Sequence, residues 1–311
     1  MPRTRTQQII QTLRDRPKTA VKAGVCLLVA LGAVVYAAVA VPHAAWASTE
    51  IEKVRHEFVA GVDIALPVLN GFEEVLGRSA EFDRLMSKFV LPDNRMLAFY
   101  ISDTDMARMA EGSGESFRKY LIVQTVKQGV FLDGGVSFDS IKKSFRDEMA
   151  DMRPQDLPEV GDVIRDANEY IGSTYKTDMK MEIGENRSKG IFAESDDYIG
   201  FLNLSSLAIE TAQGKKEYPA AVAMMAVNVR GRLILVYSYY SNYAISSDID
   251  FVQNTAQTYA KLLLDANAGG DTAGSTGRKI ILIVLFMLGV VIAGALLANR
   301  FRSQSGQDQA Q

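Results

Sequence analysis

The sequence predicts an α+β domain: an antiparallel sheet with helices packed on one face, set between two long apolar segments. Three observations lead to this fold class. Short stretches alternate apolar and polar residues as half-buried strands do, and other stretches repeat apolar residues every three or four positions as helices do. In addition, Arg230-Gly231 is a two-residue turn signal between two apolar runs. The strands are spaced too irregularly for a doubly wound parallel sheet.

Seven stretches have the composition of strands. Residues 62–66 alternate as a half-buried strand should, whereas 96–101 and 120–126 are dense apolar runs, typical of central strands covered on both faces. The other four stretches are 179–183, 198–204, 221–229 and 232–240. The last two flank the Arg230-Gly231 turn and are therefore expected to form a hairpin.

A capping residue precedes each stretch that has helical spacing. Helices are predicted to begin at Ser79, Ser137 and Ser247, because serine readily caps the free amides of a first turn. Residues 156–159 combine a cap, a first-turn proline and a capping glutamate, so a further helix is expected there.

In the final part of the domain, residues 218–266, the helix predicted to begin at Ser247 follows the hairpin directly. That order resembles the terminal layout of the Mog1/PsbP-like α+β fold. The stretch contains no diagnostic motif, so the resemblance implies a fold and no activity.

The N-terminal segment, residues 1–47, has the features of an export signal. It carries six basic residues and one acidic residue, a net charge of +5, followed by an uncharged apolar run over 23–41. Ala45-Trp46-Ala47 has the small-x-small pattern that signal peptidase recognises, which predicts cleavage between Ala47 and Ser48. The run is also long enough for an uncleaved signal anchor. Both alternatives place residue 48 onward outside the cytoplasm.

The C-terminal end is predicted to anchor the chain. Residues 280–298 contain no charged side chain and would form a helix of roughly 28 Å, close to the hydrocarbon thickness of a bilayer. A Gly/Ser/Thr-rich linker over 269–279 joins this segment to the domain at 48–268, and 299–311 form a short cytoplasmic tail. The expected location is the inner (plasma) membrane of a bacterial-type envelope, with the domain on the periplasmic side.

Composition excludes several kinds of chemistry. Cys26, the only cysteine, lies outside the domain, and His56 is the only histidine within 48–268, where we expect it in a solvated linker. The domain therefore lacks a thiol nucleophile and a multi-histidine zinc site, and we predict neither a cofactor nor a metal. Its 34 acidic and 24 basic residues give a net charge of −10, which excludes nucleic acid as a partner.

The densest aromatic cluster is the candidate binding site. It contains Tyr237, Tyr239, Tyr240 and Tyr243. On a strand, the first two share one face and Tyr240 lies on the other. Such rings can bind a sugar or a peptide, and their alternative role is to pack in the core.

Four acidic pairs are the main candidates for catalysis, and we expect them to be structural: Glu73-Glu74, Asp103/Asp105, Asp196-Asp197 and Asp248/Asp250. The first and third pairs flank strands as turn or edge charges. Asp103/Asp105 follow Ser102 at the start of a further predicted helix, and Asp248/Asp250 lie at the start of the last one. Carboxylates there cap free amides and interact favourably with the helix dipole. We therefore predict no catalytic residue.

These observations favour a membrane-anchored, non-catalytic binding or assembly factor with an envelope protein as partner. One alternative is a carboxylate-dependent hydrolase acting on cell-wall glycan. Another is a sensory ectodomain. The 13-residue tail argues against this alternative, because it leaves no room for an output domain.

The topology can be tested with a reporter enzyme that is active only outside the cytoplasm. We expect activity when the reporter is fused after residue 268 and none when it is fused after residue 311, because the apolar segment between them returns the chain to the cytoplasm. Reporter activity is measured in whole cells at matched expression. An active fusion after residue 311 would contradict this topology.

Overall fold

A computed structural model describes residues 54–111, 117–127, 137–149, 158–212 and 214–268. These residues contain nine strands: β1 (Val54–Val59), β2 (Val62–Pro67), β3 (Phe72–Glu74), β4 (Asn94–Ser102), β5 (Lys119–Val126), β6 (Lys180–Glu194), β7 (Tyr198–Thr211), β8 (Gly214–Val229) and β9 (Arg232–Ser241). Seven of them form one sheet in the order β3-β4-β5-β9-β8-β7-β6, and β1 and β2 form a separate hairpin. Every neighbouring pair is antiparallel, which confirms the α+β class.

Five helices accompany the strands: α1 (Ala80–Ser87), α2 (Asp103–Ala110), α3 (Phe138–Met149), α4 (Pro158–Tyr175) and α5 (Ser246–Ala266). The Ser79 hydroxyl accepts from the amide of Phe82 at 3.3 Å, as the sequence predicts for a cap. Helix α5 begins at Ser246 and not at Ser247, because Asp248 reaches back to accept from the Ala244 amide at 2.8 Å.

Helices cover both faces of the sheet, so the prediction that they pack on one face is wrong. Side chains of α1, α3 and α4 pack on one face, and α5 with the β1-β2 hairpin packs on the other. The reason lies in the central strands. Neighbours such as Tyr120 and Leu121 on β5 point to opposite faces, and both are fully buried. A strand that is apolar on both sides requires cover on both sides.

Helix α5 lies close to the sheet because small residues face it. Ala221 and Ala223 of β8 are buried beneath the helix side that carries Val252, Tyr259 and Leu263. Burial of each of these three large side chains contributes about 1.5–3 kcal/mol. The helix is thereby packed against strands β8 and β9.

The β1-β2 hairpin is tied to the end of α5. The Asn267 side chain accepts from the Ala65 amide and donates to the Ala65 carbonyl, both at 2.9 Å, and it also donates to the Leu263 carbonyl at 2.7 Å. Strand β1 was not predicted. His56, expected in a linker, lies on this strand with Nδ1 3.0 Å from the Asp63 carboxylate.

No helix in the described ranges is long and apolar enough to cross a membrane. The predicted apolar segments at 23–41 and 280–298, and the predicted cleavage site at Ala47 and Ser48, lie outside those ranges.

Replacing Asn267 by alanine should destabilise the fold, because the buried amide and carbonyl of Ala65 both lose their side-chain partner. We expect a loss of about 2–3 kcal/mol and a melting temperature lower by ~5–10 °C. Thermal unfolding of the full chain in detergent measures this change. Asn254→Ala, on the exposed side of α5, is the matched control and should stay close to wild type. Equal melting of the two variants would show that the contact with Ala65 is unimportant.

Candidate functional site

The structure divides the predicted tyrosine cluster between two faces of the sheet. Tyr237 and Tyr239 are fully buried in the core, and the Tyr239 ring stacks on Tyr120 with centroids 4.5 Å apart and planes 7° apart. Tyr240 and Tyr243 are half-buried on the side of α5. The aromatic surface expected from the sequence is therefore limited to these last two tyrosines.

A lysine that the sequence analysis did not identify lies over the exposed part of the cluster. Lys119 at the start of β5 is directly opposite Tyr240 near the end of β9. Its Nζ is 5.1 Å from the ring centroid of Tyr240 and 4.8 Å from that of Phe251 on α5. The two rings meet edge to face at 5.8 Å and 90°. This geometry permits a cation–π interaction with both rings.

We call the region formed by Lys119, Tyr240, Tyr243, Ile245 and Phe251 the Lys119 surface. It lies where β5 begins, β9 ends and α5 begins. Ile245, the residue before α5, has 62% of its area exposed. The surface thus combines a cation, aromatic rings and an exposed aliphatic side chain.

Asp248 positions one side of the Lys119 surface. Its Oδ2 accepts from the backbone amides of Ala244 at 2.8 Å and Ile245 at 3.3 Å. Burial, followed by the nearby charge of Asp248, raises the pKa of Tyr240 above its usual value. One carboxylate therefore fixes the loop before α5 and lies near the Tyr240 side chain.

Asp105 positions the other side. Its side chain is only 1% exposed, and Oδ2 accepts from the amides of Arg118 at 2.8 Å and Lys119 at 2.6 Å, while Oδ1 pairs with Arg108. Asp105 lies in the first turn of α2, as predicted, but the cap is Ser102, which accepts from the Asp105 amide at 3.2 Å. No spacing in the sequence indicates that Asp105 binds a strand 13 residues later.

The carboxylates of Asp103 and Glu74 have structural roles. Asp103 begins α2, and partial burial together with the nearby charge of Glu73 raises its pKa. Burial also raises the pKa of Glu74, which the charges of Arg55 and Arg78 oppose. Arg55 bonds the Glu74 carboxylate, which lies on β3 and is largely buried. Across the described residues, no group of three or more His, Cys, Asp or Glu side chains is placed to hold a metal ion.

The chain matches no known protein family and no characterised protein. Two of the solved structures that are weakly similar to the chain are versions of Mog1. One is a mutant of the protein Mog1, with 13% identity over 70% of this chain and 94% of the other and a TM-score of 0.24. The second is the Ran-binding protein Mog1p of Saccharomyces cerevisiae, with 12% identity over 69% and 92% and a TM-score of 0.22.

Two neighbouring aspartates provide a test of how the site is built. Asp105→Asn should destabilise the fold by about 3–5 kcal/mol, because an amide cannot replace a buried carboxylate that accepts from two amides and an arginine. Asp103→Asn, two residues earlier on the exposed side of α2, should change stability by less than about 1 kcal/mol.

Thermal unfolding of both full-chain variants measures the difference. If Asp105→Asn melts together with Asp103→Asn, the buried carboxylate does not hold the start of β5.

Proposed function

We propose that this chain is a non-catalytic binding factor of a bacterial-type cell envelope, anchored in the membrane, and that the Lys119 surface binds its protein partner. The observation that carries the proposal is the combination, at one end of the domain, of half-buried Lys119, Tyr240 and Phe251 with the exposed side chain of Ile245. Aromatic residues of this kind dominate the binding energy of protein interfaces.

The chemistry of the surface defines the partner. The rings and Ile245 bind an apolar side chain, and the ammonium group of Lys119 attracts a carboxylate beside it. The positive charge of Lys119 thereby adds electrostatic complementarity to the apolar contact, which favours one orientation of the partner. The partner therefore presents an apolar side chain next to an acidic residue.

The surface is also prepared for binding before a partner arrives. Asp105 holds the backbone of Lys119, and Asp248 holds the loop that carries Ile245. Side chains that are already ordered lose less conformational entropy when they bind. This favours recognition by a rigid patch.

Anchoring follows from the sequence. Residues 280–298 hold the chain in the inner membrane, and the basic N-terminal segment directs the domain to the periplasmic side, whether or not it is cleaved after Ala47. A membrane-held domain with a binding surface recruits its partner to the membrane.

The proposal can be tested by photo-crosslinking. A photoreactive residue at position 245 of the full chain should capture one partner in cells, and mass spectrometry identifies it. Lys119→Ala and Phe251→Ala should each weaken the affinity of the purified chain for that partner by about 2 kcal/mol, ~30-fold in Kd.

Lys216→Ala is the matched control, because Lys216 lies 5.1 Å over the ring of Tyr218 at another place on the domain. Its affinity for the partner should equal that of wild type, and thermal melts of all variants exclude unfolding. Equal affinity of the Lys119, Phe251 and Lys216 variants would place the binding surface elsewhere.

A further inference from the structure

The two ends of the described domain lie side by side. Asn267, the residue after α5, binds the backbone of Ala65 on β2, and Ala65 is paired with His56 on β1. Val54 is two residues from His56 along β1, a distance of about 7 Å. The chain therefore enters and leaves the domain at the β1-β2 hairpin.

Both predicted apolar segments are close in sequence to this hairpin. Eleven residues, 269–279, separate the end of the domain from the apolar run at 280–298, and twelve residues, 42–53, separate the run at 23–41 from Val54. Eleven residues reach at most about 40 Å even when fully extended. Both predicted apolar segments are therefore joined to the domain at the hairpin by short stretches of chain.

The outward face of β1 carries exposed apolar side chains. Residues alternate along the strand, so Arg55 and Glu57 turn toward the domain and Val54, His56 and Phe58 turn away from it. Phe58 has 71% of its area exposed and Val54 has 38%. Of the four large apolar residues that are strongly exposed in the described chain, two therefore lie on this one face.

The backbone beneath Phe58 is held in place. Arg95 donates to the Phe58 carbonyl at 2.5 Å and pairs with Glu57 at 3.2 Å, and Arg230 donates to the carbonyl of Asp63, the residue opposite Phe58. An exposed aromatic ring on a fixed backbone is an arrangement suited to contact with another surface.

We infer that the outward face of β1, with Phe58 at its centre, contacts the lipid surface of the membrane in which the chain is anchored. This inference rests on the anchoring proposed above. Phenylalanine is among the residues that enter the boundary between headgroups and acyl chains. Carboxylates lie among the basic side chains around the ring, since Asp63 lies beside His56 and Glu57 beside Arg95. The contact is therefore apolar and requires no anionic lipid.

This orientation places the Lys119 surface away from the membrane. Helix α5 has 21 residues and is about 30 Å long. Ile245 of the Lys119 surface precedes its first residue, and Asn267, which binds the hairpin, follows its last. The helix thus separates the face that contacts lipid from the face that contacts the partner.

The test uses the full chain in vesicles of phosphatidylcholine alone. With Cys26→Ser as background, a single environment-sensitive fluorophore is attached at Phe58→Cys, Val54→Cys, Ile191→Cys or Ile245→Cys. Ile191 and Ile245 are exposed apolar residues outside the hairpin and serve as matched controls. A quencher attached near the headgroup of the lipid should reduce emission at positions 58 and 54 several-fold more than at positions 191 and 245.

A flotation assay of the same samples separates the two proposals. If the chain floats with the vesicles but position 58 is quenched no more than position 245, the lipid contact is overturned and the anchoring stands. If the chain does not float with the vesicles, both proposals are overturned.

Discussion

Helix α5 lies along the sheet with its apolar side toward β8 and β9, and side-chain hydrogen bonds hold both of its ends. Asp248 binds the loop at the start, and Asn267 binds the hairpin at the finish. Because Ala221 and Ala223 allow the helix to approach closely, its direction is determined by the same strands that carry Tyr240. The Lys119 surface and the β1-β2 hairpin both depend on this packing. Without it, Phe251 would not meet Lys119 and Ala65 would lose the partner that ties the hairpin down.

Buried polar groups do the positioning at each end. Asp105 is removed from water at considerable cost, and two backbone amides and an arginine compensate that cost only in one arrangement. The hydrogen bonds of Asn267 also specify one arrangement, because its amide pairs with the backbone of Ala65 as a neighbouring strand would. Apolar packing supplies most of the stability, whereas these directional bonds specify where the exposed side chains lie.

The parts of the fold that the sequence predicts are those determined by neighbouring residues. The hairpin of β8 and β9 follows from Arg230-Gly231, where both residues have positive φ angles of 51° and 72°, as a tight turn of this type requires. Strands β4 and β5 follow from dense apolar runs. Strand β1 was missed because arginine, histidine and glutamate interrupt its apolar positions, and only its contact with β2 makes it a strand.

Only part of the candidate site could be predicted, because its residues come from distant positions in the sequence. Tyr240 and Tyr243 could be identified as an aromatic cluster, but the burial of Tyr237 and Tyr239 depends on helices far away in the sequence. Lys119 and Phe251 are 132 positions apart, and no local pattern connects them. The role of Asp105 likewise appears only when α2 packs beside the start of β5. Long-range contacts bring these residues together, and the periodicity of the sequence does not indicate such contacts.

The long edge strand β6 is the alternative to the Lys119 surface as a place for the proposed partner to bind. An open edge of 15 residues would normally invite another strand to pair with it. Here the Asn168 side chain already binds the amide and carbonyl of Met181, and three register shifts interrupt the pairing of β6 with β7. Bulges bend the edge and prevent a regular ladder with an added strand. Recognition through side chains at the start of α5 therefore fits this domain better than recognition by strand addition along β6.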